Sequence, residues 1–198
     1  GCVDGWFELH EKFGKIKMKD ILSPTIKYAE DGFPVSELVS YYMKNASNNF
    51  KEYPNFKETY YINESTPKKG QIFKNPDLAM TYSILAKKGR TGFYKGKIAK
   101  TIADYVQAKG GFLSTSDLAD HHSEWVTPVS VNYRGYDVWE LPPNGQGVAA
   151  LQMLNILEGY DFDNIPYGSA EHIHLFTEAK KLAFEDRAKY YADMDFYD

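Results

Sequence analysis

Six residues, PPNGQG at Pro142–Gly147, join an alternating run, YRGYDVWEL, to an apolar one, VAALQMLNILEGYDF. Glycines ahead of a helix let backbone N–H groups approach an anion, and the helix dipole favours negative charge there. Asn144, Gly145 and Gln146 are therefore the candidate substrate-binding residues. The stretch is neither a P-loop nor a dinucleotide fingerprint, and no Lys-Ser or Lys-Thr follows it. The competing reading is purely architectural: a tight turn that aims a strand end into a buried helix.

The remaining chemistry-bearing residues do not converge. His121 and His122 are adjacent, so on a helix their side chains would point about 100° apart. His172 and His174 diverge as well. His174 and Glu178 share a face at i, i+4, but no third ligand accompanies them, and no metal site is expected. There is no G-x-S-x-G elbow, and the single cysteine, Cys2, has no marked activating neighbour. Glu171, Glu178 and Glu185 recur every seven residues, as on a solvated helix face. Asp186 falls among the apolar positions of a predicted helix, where a carboxylate must be paired or hydrogen-bonded. Its neighbour Arg187 cannot face it, because adjacent helical residues diverge. No catalytic residue, metal ligand or cofactor is nominated on these grounds.

The elements that hold these residues are legible from periodicity and punctuation. Helical patterns run through VDGWFELHEKF, MKDILSPTIKYAED and SELVSYYMKNASNNF, with Ser36 as N-cap of the third. Ser23-Pro24 either starts a new helix or bends a longer one. From Lys51 to Phe73 the pattern is irregular, with TYYINE as a short edge strand. NPDLAMTYSILAKKG is a helix with Asn75 as N-cap and Pro76 at its first position. KIAKTIADYVQA is another, and STSDLADHH is a short capped helix. Two paired strands, Trp125–Tyr133 and Tyr136–Leu141, follow as a hairpin. GVAALQMLNILEG is apolar on nearly every side and is predicted to be buried. The last helix is capped by Ser169, with Leu175, Ala179, Leu182, Ala183 and Tyr190 on its apolar face. The fold class is thus α+β: helices over residues 1–123, a hairpin over 125–141 and helices over 147–192, in one single fragment.

Composition narrows the partners. The chain has 198 residues, 43% of them apolar, enough for a real core. Lys and Arg total 23 against 27 Asp and Glu, for a net charge of −4 and a pI near 5.8. No basic stripe is dense enough to track a phosphate backbone, so nucleic acid is not an expected partner. No apolar run reaches the roughly 20 residues of a membrane span. The opening GCVDGWFELHEKFG reads as a loop entering a helix, so the expectation is a cut rather than a natural start. One cysteine excludes an intrachain disulfide without fixing the compartment.

The order of segments GCVDGWFELHEKFG, ILSPTIKYAEDGFPVS, FKNPDLAMTYSILAKKGRTGFYKGKIA, GGFLSTSDLADHHSEWVTPVSVNYRGYDVWELPPNGQG and SAEHIHLFTEAKKLAFEDRAKYYAD resembles the γ-glutamyltranspeptidase family, in the central and C-terminal part of its large subunit. The resemblance implies an N-terminal-nucleophile hydrolase with an αββα sandwich, in a precursor that cuts itself into large and small subunits. It implies that the small subunit is this chain's partner and that its first Thr attacks a γ-glutamyl amide such as glutathione. That Thr would lie past Asp198 and the Arg that grips the substrate carboxylate before Gly1, so the fragment alone is expected to be inert. Family members are exported or cytoplasmic. PPNGQG departs from the family's Pro-Pro-Pro-Ser-Ser-Gly-Gly and is similar to an acylase-like branch, which leaves the donor open. The alternative is a helical protein-interaction module without chemistry.

Overall fold

The computed structural model describes residues 1–196, which divide into two compact units, Gly1–Ser123 and the residues from Glu124 onward. The first unit is helical. It comprises α1 (Cys2–Phe13), α2 (Met18–Asp31), α3 (Glu37–Phe50), α4 (Phe56–Tyr60), α5 (Pro76–Lys88), α6 (Thr91–Tyr94), α7 (Lys97–Ala108) and α8 (Thr115–Asp120). Val3, Leu22, Leu85 and Tyr94 form its core, with Phe7, Met18, Ile26 and Leu118 packed around them. These residues recur at helical spacing because each helix offers one apolar stripe.

Local chemistry sets the helix ends. Ser36 Oγ accepts from Val39 N at 3.3 Å, and Asn75 Oδ1 from Leu78 N at 3.0 Å. Ser114 and Asp117 exchange bonds in a full capping box. Pro24 lies inside α2, so Ser23-Pro24 does not begin a helix of its own. Gly32 closes α2 at φ 91°, a conformation that disfavours side chains, and a Cβ there would fall 2.4 Å from Ile72 Cγ2.

That close approach exists because β1 (Phe33–Pro34) pairs antiparallel with β2 (Ile72–Phe73), a ladder the periodicity does not reveal. Pro34 has no N–H to continue the ladder. The strand expected at TYYINE is instead the end of α4, followed by a lone bridge between Ile62 and Ser65. Asn63 and Glu64 both take positive φ there, so the chain reverses at once instead of extending.

The second unit holds a hairpin and two helices: β3 (Val129–Tyr133), β4 (Tyr136–Glu140), α9 (Gly147–Glu158) and α10 (Ala170–Tyr190). The ladder pairs Val129 with Glu140 and Tyr133 with Tyr136, shorter than the expected 125–141. Pro128 explains the late start, since it offers no donor to a partner strand. Arg134 and Gly135 make the turn at φ 53° and 87°. Arginine tolerates this because its main-chain N–H donates to Glu158 Oε1 at 3.2 Å and its guanidinium to Tyr160 O at 2.8 Å.

Helix α9 is less enclosed than predicted. Ala149, Leu151 and Leu157 are buried, whereas Val148, Met153, Leu154 and Ile156 are half-buried. The inward face of α10 is also narrower: Ala179 and Ala183 are buried, while Leu182 stays 61% exposed. Small residues at i, i+4 let α9 and α10 approach closely and turn the larger side chains outward.

Candidate functional site

The turn before α9 is the first place to look. Asn144, Gly145 and Gln146 are all exposed. The two glycines differ in kind. An added Cβ on Gly145 would meet nothing within 4 Å. On Gly147 it would fall 2.5 Å from Glu140 Oε2 and 2.9 Å from Glu140 Cβ. Gly147 is thus the glycine that lets the end of β4 lie against the first turn of α9. The carboxylate of Glu140 lies beside the N-terminal end of that helix, the position an anionic ligand would seek. The turn's architectural role is therefore visible, and its open face is Asn144–Gln146.

Six residues into α9, Gln152 joins a half-buried polar cluster of the unit. Its Nε2 donates to Asp186 Oδ2 at 3.0 Å, and its Oε1 accepts from Tyr191 Oη at 2.5 Å. This is the partner that Asp186 requires on an apolar face, and it is not Arg187. Burial, then the charge of Asp186, raises the Tyr191 pKa above the ordinary phenol value. The bridge fixes the Gln152 amide orientation and fastens α9 to α10.

In the first unit, Asp4 is 1% exposed and ion-paired with Arg90 through Nε. Arg90 also donates through Nη2 to the main-chain O of His121. Its guanidinium lies 4.8 Å from the Tyr94 ring centroid, and the rings of Tyr94 and His121 stack at 5.2 Å. Asp4 N donates to Tyr94 Oη at 3.2 Å. Sequence reading named His121 only as half of a divergent pair and missed Asp4 and Arg90. The available signal was an Asp among the apolar residues of the first helix, far in sequence from its partner.

The other histidines stay apart. His174 and Glu178 form no metal cluster, and no group of three potential ligands occurs among the described residues. Glu178 binds Lys181 at 2.9 Å and its carboxyl lies below the ordinary range for that reason. A groove of about 560 Å³ between α1, α2 and α5 is lined by Trp6, Leu9, Phe13, Met18, Ile21 and Tyr82. It is apolar and offers packing rather than catalysis.

The helix-rich α+β fold is one that known proteins share. The γ-glutamyltranspeptidase family model matches residues 1–198, and the chain belongs to that family. It is 36% identical over its whole length to the glutathione hydrolase-like YwrD proenzyme of Bacillus subtilis strain 168, covering 38% of that protein. The fold matches the crystal structure of Helicobacter pylori γ-glutamyltranspeptidase with a TM-score of 0.89 and 32% identity, over 99% of this chain and 57% of that one. It matches cephalosporin acylase from Bacillus halodurans with a TM-score of 0.88 and 35% identity, over 98% and 37%. The chain thus spans little more than a third of the curated relative's length.

Proposed function

We propose that these residues are part of the large subunit of a self-processing γ-glutamyl transferase and hydrolase. The nucleophile is the N-terminal Thr of a small subunit contributed by polypeptide outside the 198 residues. Its hydroxyl attacks the γ-glutamyl carbonyl while its own α-amino group takes the proton, and the departing amine leaves an ester-linked acyl-enzyme. Water then releases glutamate, or an acceptor amine forms a new amide. The helices and hairpin described above belong to the αββα sandwich that braces this Thr.

The observation that carries the reading is the family match along the whole chain. Glutathione is the first donor to test. The PPNGQG turn and the likeness to an acylase make amides other than glutathione the second. Asn144, Gly145 and Gln146 are proposed as substrate contacts, on the strength of their exposure at the α9 N-terminus.

The test is turnover of a γ-glutamyl anilide by the full-length protein. Asn144→Ala with Gln146→Ala should raise KM about tenfold, the loss of one or two neutral hydrogen bonds, while self-cleavage is retained. A KM unchanged in the double variant removes these residues from the site. No turnover of any γ-glutamyl or acyl anilide removes the activity itself.

A further inference from the structure

The Asp4 cluster of the first unit takes no part in the reading above. Asp4 Oδ1 is occupied by Arg90, whereas Oδ2 is buried without a hydrogen-bond partner. It faces His121 Nε2 at 3.8 Å, and that nitrogen is likewise buried and unpartnered. Arg90 holds the main-chain carbonyl of the same histidine, and its ring stacks on Tyr94, which leaves it little freedom to turn away.

Elementary chemistry places the proton. A carboxylate oxygen can only accept. A histidine protonated on Nδ1 alone would aim a lone pair at Oδ2, burying two acceptors face to face. A proton on Nε2 satisfies both atoms after a small approach. We propose that His121 carries its proton on Nε2 toward Asp4 Oδ2, and that this contact is an acid-opened latch between the start of α1 and the segment after α8.

Acid opens it because a second proton, on Nδ1, makes an imidazolium beside Arg90. The groups facing the ring are Asp4 from α1, the N-terminal amine of Gly1 ahead of it, Arg90 from the α5–α6 junction, Tyr94 from α6 and His122 from its own segment, with Cys2 acting on Tyr94. Of these, Asp4 is the one carboxyl, and it already serves Arg90. One buried carboxylate does not offset two cations. In accord with this geometry, burial first, then the positive charges at Gly1 and Arg90, holds the His121 pKa below its ordinary value. A depressed histidine pKa gives stability that is complete above the unfolded value and is lost as pH falls through the folded one.

The test is imidazole ¹⁵N NMR of the whole protein, with amide-exchange protection of Val3–Phe7 measured against pH. The neutral Nε2–H pattern is expected, titrating below the ordinary value. Protection should fall by up to about tenfold per pH unit between the ordinary histidine value and the depressed folded one, and level off below it. In His121→Gln, which cannot charge, that dependence should vanish. A neutral Nδ1–H pattern, an unshifted titration, or the same pH dependence in His121→Gln would each overturn the latch. The NMR measurement on the unaltered protein decides the matter even where the variant fails to fold.

Discussion

Gly147 and Gly145 are two positions apart and respond to opposite demands. Gly147→Ala must push against Glu140 Cβ, which cannot rotate away because it is fixed to β4. It should cost about 1–3 kcal/mol, the usual penalty of overpacking, whereas Gly145→Ala should leave the melting temperature nearly unchanged. Thermal denaturation of the two variants checks this directly. Gln152→Leu leaves Asp186 without its donor and should cost about 1–3 kcal/mol, more than Tyr191→Phe, which strands only one amide oxygen. The Tyr191 pKa is raised in the folded protein. Its contribution is therefore present below the ordinary phenol value and lost as pH rises through the folded one, and Tyr191→Phe should flatten the alkaline edge of the stability curve.

Caps, turns and periodicity act on whole elements, and here the sequence was most readable. Ser36, Asn75, Ser114 and Ser169 each accept the expected main-chain bond at a helix start. Ser169→Ala should therefore destabilise the α10 unit by about 1 kcal/mol, measured by denaturant titration. The Arg-Gly hairpin turn was legible for the same reason, since local φ preferences are written in two residues. What escaped was non-local. The β1–β2 ladder depends on a meeting between Phe33 and Phe73, forty residues apart, which no window can show. The orientation of α10 follows from Ala179 and Ala183 rather than from its largest side chains, so a hydrophobic count pointed Leu182 the wrong way. The Asp4–Arg90 pair escaped for a similar reason: its partners are 86 positions apart. Of the candidate site, the PPNGQG turn stood out by composition, but which of its glycines bears the packing emerged only from the position of Glu140.

The molecule as a whole is two compact units with ordered caps and cores. Under the proposed function, these units are scaffolding for chemistry supplied elsewhere in a longer polypeptide. On this account Arg90→Ala, which strands Asp4 in a buried site, should lower stability by about 3 kcal/mol. Once the variant is folded, the chemical step of the full-length protein should be unaltered. Comparison of kcat with the melting temperature separates the two effects. The central claim, that this scaffold serves an N-terminal Thr made by self-cleavage, is tested most directly by N-terminal sequencing of the purified full-length protein. The account predicts two chains, the second beginning with Thr, and a single uncut chain competent in γ-glutamyl transfer would contradict it.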